Sequence, residues 1–193
     1  MRYVKKLEAK RVYLSPARVE DADLYITWLN DPEVTNFLGA SHNTLTFLNE
    51  KKMLEEILSK KDPFFAIIDK QSDKLIGNVG LFNIDRLSQK SEIGIFIGNK
   101  DFRNKGIGQE VMTLMVDYGF NILNLHSIYL NTYSFNERAI AAYKKIGFKE
   151  VGRLRESYQV GRKYFDTVIM DILYHEFKSS SILDTLKKQK IIH

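Results

Sequence analysis

The sequence predicts an α+β domain of about seven strands, three of them in an antiparallel meander, interspersed with helices. Three observations carry this. The chain has 193 residues, 44% of them hydrophobic and 27% charged, enough to bury one core without staples. Gly and Pro number only 11 and 3, which excludes collagen-like and low-complexity chains. Segments of period-two and period-3.6 hydrophobicity then follow in the order strand, two helices, three strands, a glycine-bearing loop, a long helix, a strand, a helix and two strands.

Val12 and Leu14 alternate with polar neighbours ahead of Ser15-Pro16 and predict the first strand. Glu20, Asp21 and Asp23 lie where a helix start favours acids, and Ala22, Tyr25, Trp28 and Leu29 form one face of a helix that Asn30-Asp31-Pro32 should stop. Phe47, Leu54, Ile57 and Leu58 suggest a second helix, ending near Lys61-Asp62-Pro63. The runs Phe64 to Asp69, Lys74 to Asn83 and Lys90 to Gly98, separated by turns at Lys70 to Asp73 and Ile84 to Gln89, read as an antiparallel meander. Ile107, Val111, Met115, Tyr118 and Ile122 make the strongest helical stripe in the chain.

Ile128, Leu130 and Thr132 alternate as a strand. Ser134 with Glu137 offers a capping box for a helix carrying Ala139, Ile140, Tyr143 and Ile146, and Gly147 suits its C′ position. Two last strands, Phe148 to Arg155 and Tyr164 to Leu173, enclose a turn-like stretch from Gln159 to Arg162. No repeat or linker interrupts the pattern, so residues 1–177 read as one domain and 178–193 as a short tail. In that tail Ile182, Leu183, Leu186 and Ile191 suit a helix that faces a partner or docks on the domain.

With no cysteine there is no disulfide framework, thiolate metal site or cysteine nucleophile. His42, His126, His175 and His193 show no i, i+4 spacing, so no metal is expected. The start carries Arg2, Lys5 and Lys6 with no apolar segment behind them, and the longest apolar run, Phe64 to Ile68, is far short of the roughly 20 residues that span a bilayer. A cytoplasmic protein with no membrane span is expected. The net charge of +5 suits nucleic acid, an anionic surface or an anionic cosubstrate. Basic residues are spread in small groups such as Lys5-Lys6, and no nucleic-acid motif appears, which favours the cosubstrate.

The position of the charge sharpens this. Gly106 and Gly108 lie between a strand and a helix, with Arg103 and Lys105 beside them. Backbone N–H groups at a helix start, next to residues without side chains, make an anion site fit for phosphate or pyrophosphate. It is not a Walker A loop, since no Gly-Lys-Ser/Thr follows. Nor is it the dinucleotide fingerprint, since Val111 stands where the third small residue belongs.

Arg103-x-x-Gly106-x-Gly108, preceded by Glu92-Ile93-Gly94-Ile95-Phe96-Ile97, resembles the acetyl-coenzyme A loop of the GNAT superfamily of N-acetyltransferases. The stretch from Asn136 to Phe148 resembles that superfamily's Asn-x-x-Ala-x-x-x-Tyr-x-x-x-Gly-Phe segment, and the element order is similar over residues 8–177. Leu14 to Ala22, Asp31 to Val34 and Gly161 to Asp166 resemble the subgroup of ribosomal-protein N-terminal and bacterial spermidine N-acetyltransferases.

The resemblance implies the GNAT fold, a mixed, mostly antiparallel sheet of about seven strands flanked by helices with a splayed central strand pair, together with acetyl-CoA as cosubstrate and direct transfer of acetyl to a primary amine within one ternary complex. It implies that the pantetheine arm pairs with Ile95 and Ile97 and that a backbone N–H of Phe96 or Ile97 polarises the thioester carbonyl. Arg103, Asn104, Lys105, Gly106, Ile107, Gly108 and Gln109 would form the pyrophosphate cradle, and Asn136 would bond the pantetheine arm or cap its helix. Glu92 is the implied base, directly or through water, unless it is a strand-edge glutamate paired with a lysine. Tyr143 is the implied acid toward the departing thiolate, unless it is a core tyrosine.

A protein or peptide N-terminal amine is the first acceptor implied. A polyamine would need an acidic pocket, for which Asp31, Glu33 and Asp85 are available; amino sugars and aminoglycosides follow. The competing classes are a CoA sensor and a nucleic-acid-binding module. Tyr25, Trp28 and Phe37 line the acceptor or belong to the core, the loops 37–46 and 84–89 set its identity, and a homodimer stays open.

Overall fold

The computed structural model describes residues 3–40, 42–60 and 62–191. Met1, Arg2, Ser41, Lys61, Ile192 and His193 fall outside the described residues; the leader reading at Arg2, the helix end near Lys61 and the histidine at 193 lie with them. The strands are β1 (Leu7–Glu8), β2 (Val12–Pro16), β3 (Phe64–Asp69), β4 (Leu75–Asp85), β5 (Lys90–Ile97), β6 (Ser127–Tyr133), β7 (Lys149–Val160) and β8 (Lys163–Leu173). The helices are α1 (Ala22–Leu29), α2 (Pro32–Thr35), α3 (Phe47–Ser59), α4 (Ile107–Asn121), α5 (Glu137–Ile146) and α6 (Ser181–Lys188).

The strands hydrogen-bond in the order β1-β2-β3-β4-β5-β6-β8-β7. The pair β5–β6 is parallel, whereas β1–β2, β2–β3, β3–β4, β6–β8 and β7–β8 are antiparallel. The strand beyond the expected seven is β1, which at two residues is too short for any alternation to be read. The chain forms two compact units, one of Met1–Gly80 and Gly94–Val111 and one of Leu81–Ile93 and Met112–His193.

In the first unit, β2 and β3 carry a fully buried apolar core of Val12, Leu14, Ala66, Ile67 and Ile68. Pro32 ends α1 as expected but also begins α2: its fixed φ suits a first helical position, and Asp31 Oδ1 accepts the Glu33 N–H at 3.0 Å. Thr46 and Asn49 cap α3 reciprocally.

Glu50 on α3 is 1% exposed, and its Oε2 has no hydrogen-bond partner among the described residues. Burial pushes its carboxyl from 4.5 up to about 7. Between those two values the folded protein therefore binds more protons than the unfolded chain, so stability falls as pH rises through this window and levels off above it. Glu50→Gln removes the titration. Its stability relative to wild type is expected to rise between pH 4.5 and 8 by on the order of 2–3 kcal/mol, read from denaturation midpoints. A difference that stays flat with pH would place the Glu50 carboxylate in contact with water.

In the second unit, Met112, Met115 and Val116 of α4 are buried, and a Cβ on Gly119 would sit 2.7 Å from Ile128 Cδ1, so the helix lies close on β6. Ile122 departs from the expected stripe: it follows the end of α4 and is 45% exposed. Ile128, Leu130 and Thr132 are buried, leaving Tyr129, Asn131 and Tyr133 on the opposite face of β6. The cap of α5 is Asn136, whose Oδ1 accepts the Ala139 N–H at 3.3 Å, and not Ser134. Ser134 is drawn instead to β8, where its Oγ accepts the Asp166 N–H at 3.2 Å.

The strand expected to end at Arg155 runs on as β7 to Val160, through register shifts at Glu150/Gly152 and Leu154/Tyr158, before it turns into β8. The tail forms α6, capped by Ser180. Asp117 of α4, 1% exposed, accepts hydrogen bonds from Asn121 Nδ2, Ser180 Oγ, Ser181 Oγ and the Ile182 N–H at 2.7–3.1 Å. Four donors meet the desolvated carboxylate and fasten the start of α6 to α4.

Candidate active site

Between β5 and α4 the backbone makes one helical turn at Lys100–Phe102 and then takes left-handed conformations at Asn104 (φ +60°) and Gly106 (φ +75°). Asn and Gly are the residue types that adopt them most readily. A Cβ on Gly108 would meet nothing within 4 Å, so the first turn of α4 is open on that side. Arg103 folds back: its Nε and Nη2 donate to the carbonyls of Ile97 at 3.0 Å and Gly98 at 2.6 Å. The guanidinium thus braces the loop against the end of β5, and the Ile97 carbonyl already accepts a hydrogen bond.

Arg11 completes this loop and was missed in the sequence. Its backbone N–H and Nε donate to the Glu110 carboxylate at 2.7 and 2.8 Å, and its Nη1 donates to the Lys105 carbonyl at 2.6 Å. Glu110 lies in the first turn of α4, where it would oppose an incoming anion; Arg11 offsets that charge. A Cβ on Gly106 would sit 3.6 Å from Arg11 Nη2. No local signal could have found Arg11, because up to 99 residues separate the partners.

Gly106→Glu would place a side chain at positive φ and a carboxylate in the anion cradle. It is expected to raise the dissociation constant for CoA by roughly 100-fold or more, measured by calorimetric titration. An unchanged constant would remove this loop from the coenzyme site.

The parallel ladder pairs Lys90 with Ser127, Ser91 with Ile128 and Glu92 with Tyr129, and stops there although both strands run on. Glu92 is therefore the last residue of β5 in that ladder. Among the described residues no lysine pairs with it: Asn131 Nδ2 donates to its Oε1 at 3.2 Å and Asn83 Nδ2 to its Oε2 at 3.4 Å. Burial and the Glu92 charge push the Tyr129 phenol up. Neither asparagine stood out in the sequence, since each is one polar residue on an exposed strand face.

Asn136 is buried, with Oδ1 used in capping; its Nδ2 is the donor side of the carboxamide. Tyr143 is half-buried on α5 beside Phe148, ring centroids 6.0 Å apart, and burial pushes its phenol up, so it carries its proton at neutral pH. Of the aromatic candidates, Tyr25 is fully buried and joins Trp28 in packing edge-on against Phe96 of β5, at 5.9 and 6.2 Å. These two rings support the strand, whereas Phe37 is 43% exposed.

Each of the three acids considered for a polycation already has a partner on the surface. Lys100 pairs with Asp31 at 3.1 Å and Glu33 at 2.8 Å, and Asp85 accepts the N–H groups of Leu87 and Ser88 in its own turn. Among the described residues no cluster of three His, Asp or Glu could hold a metal, and no helix is long and apolar enough to cross a membrane.

The chain matches the acetyltransferase (GNAT) domain family over residues 11–149. A protein of Bacillus licheniformis described as the uncharacterized N-acetyltransferase p20 is 29% identical over 175 residues, 89% of this chain and 97% of that protein. A spermidine N(1)-acetyltransferase of Vibrio cholerae is 33% identical over 133 residues, 66% of this chain and 76% of that protein. A putative ribosomal N-acetyltransferase of Bacillus subtilis is 32% identical over 104 residues, 54% of this chain and 56% of that protein. Among solved structures, spermidine N-acetyltransferase from Vibrio cholerae in complex with CoA and spermine has a TM-score of 0.78 at 26% identity, covering 86% of this chain and 97% of that one. The matched stretch contains Glu92, the braced glycine loop, Asn136 and Tyr143 together, and the chain belongs to the GNAT family of acetyl-CoA-dependent N-acetyltransferases.

Proposed function

We propose that the acceptor is the N-terminal amine of a peptide or protein, acetylated by direct attack on acetyl-CoA in one ternary complex. The observation that carries this is the setting of Glu92: one carboxylate between two neutral carboxamides, with Asp31, Glu33 and Asp85 engaged elsewhere. A polyamine keeps a second ammonium that needs its own counter-charge. An N-terminal amine needs none, and its pKa of about 8, against about 10 for an alkyl amine, lets a carboxylate or a water bound to it take the proton.

In this reading the Gly106–Gly108 cradle, with Lys105 and Gln109, holds the pyrophosphate by backbone N–H groups, while Arg103 and Arg11 fix its shape. Ile95 and the Ile97 N–H bond the pantetheine arm with Asn136 Nδ2. A backbone N–H of Phe96 or Ile97 stabilises the oxyanion as the amine attacks. Glu92 receives the proton of the ammonium and the freed amine attacks; as the C–S bond breaks, Tyr143 gives its phenol proton to the thiolate, and the second proton lost by the nitrogen restores the phenol. The chain has no cysteine to carry an acetyl group, which agrees with transfer in a single step.

The second reading is a polyamine acceptor, favoured by the relatives named spermidine N-acetyltransferase. Purified protein with labelled acetyl-CoA and a panel of unblocked peptides, spermidine and amino sugars separates the two. Peptide α-amines are expected to be labelled with the highest kcat/KM; spermidine labelled with peptides untouched would overturn the peptide acceptor.

A further inference from the structure

We infer that Asn131 on β6 and Asn83 on β4 are positioning residues of the transfer reaction, holding the Glu92 carboxylate from both sides so that it meets the acceptor amine in one orientation. The inference rests on the assignment of Glu92 as proton acceptor in the proposed function.

Three neighbouring strands supply the arrangement. Glu92 lies on β5, and each of its oxygens takes one carboxamide donor, Oε1 from Asn131 and Oε2 from Asn83. Both asparagines are exposed, so neither is demanded by the core. On its face of β6, Asn131 stands between Tyr129 and Tyr133, where an apolar or β-branched residue would suit the strand better. Asn83 takes φ +53° inside β4, a conformation asparagine tolerates better than most residues.

The choice of donor matters chemically. A lysine or arginine at either position would pair with the carboxylate and compete with the incoming ammonium. A carboxamide orients the same oxygens and leaves their charge in place. A carboxylate offers about four lone-pair sites; two are filled from the sides, and the others stay open toward the acceptor. A glutamate otherwise loses rotamer freedom each time it must aim, so fixing it beforehand raises the fraction of encounters that react.

A kinetic double-mutant cycle tests this, using the amine of the panel that turns over fastest, with thermal midpoints recorded for each variant. Asn131→Ala is expected to lower kcat roughly 5- to 20-fold, with KM for acetyl-CoA unchanged. In a Glu92→Gln background the same change is expected to cost less than about twofold, because the group it positions is gone. Asn83→Ala should behave alike with a smaller factor, its contact being longer. Wild-type kcat in Asn131→Ala, or an equal loss in both backgrounds, overturns the inference while leaving Glu92 as the proton acceptor. An unchanged kcat in Glu92→Gln alone overturns both, and the single variant reports it separately.

Discussion

Glu92→Gln is expected to lower kcat for an amine acceptor by roughly 10²- to 10³-fold near pH 7 while leaving CoA affinity unchanged. The substitution keeps shape and length, so β5 and its three-residue pairing with β6 should persist. What it removes is the capacity to take a proton from the amine. An N-terminal amine with a pKa of about 8 is roughly nine-tenths protonated at pH 7, so scarcity of free base accounts for about tenfold of this loss, and the rest is the proton Glu92 takes from the nitrogen as the C–N bond forms. That dependence makes a second expectation: the defect should narrow as pH is raised toward 9, where solvent has already deprotonated the acceptor. The glutamine also presents an N–H₂ group to one of the two asparagine amides, losing at most one hydrogen bond of about 1 kcal/mol, too little to account for the rate loss. A loss equal at pH 7 and 9 would show that Glu92 shapes the site without handling the proton.

How far the sequence can be read depends on the range of the interaction that decides each feature. The stripe from Ile107 to Tyr118 and the glycines ahead of it are local, and α4 with its loop appears where they place it. Asn30-Asp31-Pro32 predicts a helix stop, yet a proline is equally fit to start a helix, and Asp31, which caps α2, decides for the start. Ser134 and Asn136 are both good caps two residues apart, and only β8, more than thirty residues on, draws Ser134 away. Arg11, Asn83 and Asn131 are single polar residues without a motif, and each acquires its role from a partner on another element. The docking of α6 is the same case, since Asp117 on α4 acquires its role from Ser180 and Ser181, more than sixty residues on.

Gly77→Ala tests the other half of the site, the strand against which the thioester is proposed to lie. A Cβ at Gly77 of β4 would sit 2.1 Å from the Phe96 carbonyl oxygen and 3.0 Å from Ile97 Cα. Both are backbone atoms, so no rotamer change can make room. β4 cannot retreat either, because Gly77 pairs with Ile67 of β3 on its other side, in the buried core of the first unit. The movement must then fall on β5 at Phe96 and Ile97, the residues assigned to polarise the acetyl carbonyl and bond the pantetheine arm. A loss of about 3 kcal/mol or more is expected, lowering the melting midpoint by roughly 6–12 °C for a chain of this size. Weaker CoA binding should accompany it in whatever fraction remains folded. Gly152→Ala on β7 is the matched control: its added Cβ meets nothing within 4 Å, and its midpoint should stay within about 2 °C of wild type. If Gly77→Ala melts like Gly152→Ala, β5 does not approach β4 as closely as these contacts require, and the proposed place of the thioester along β5 loses its rigid support.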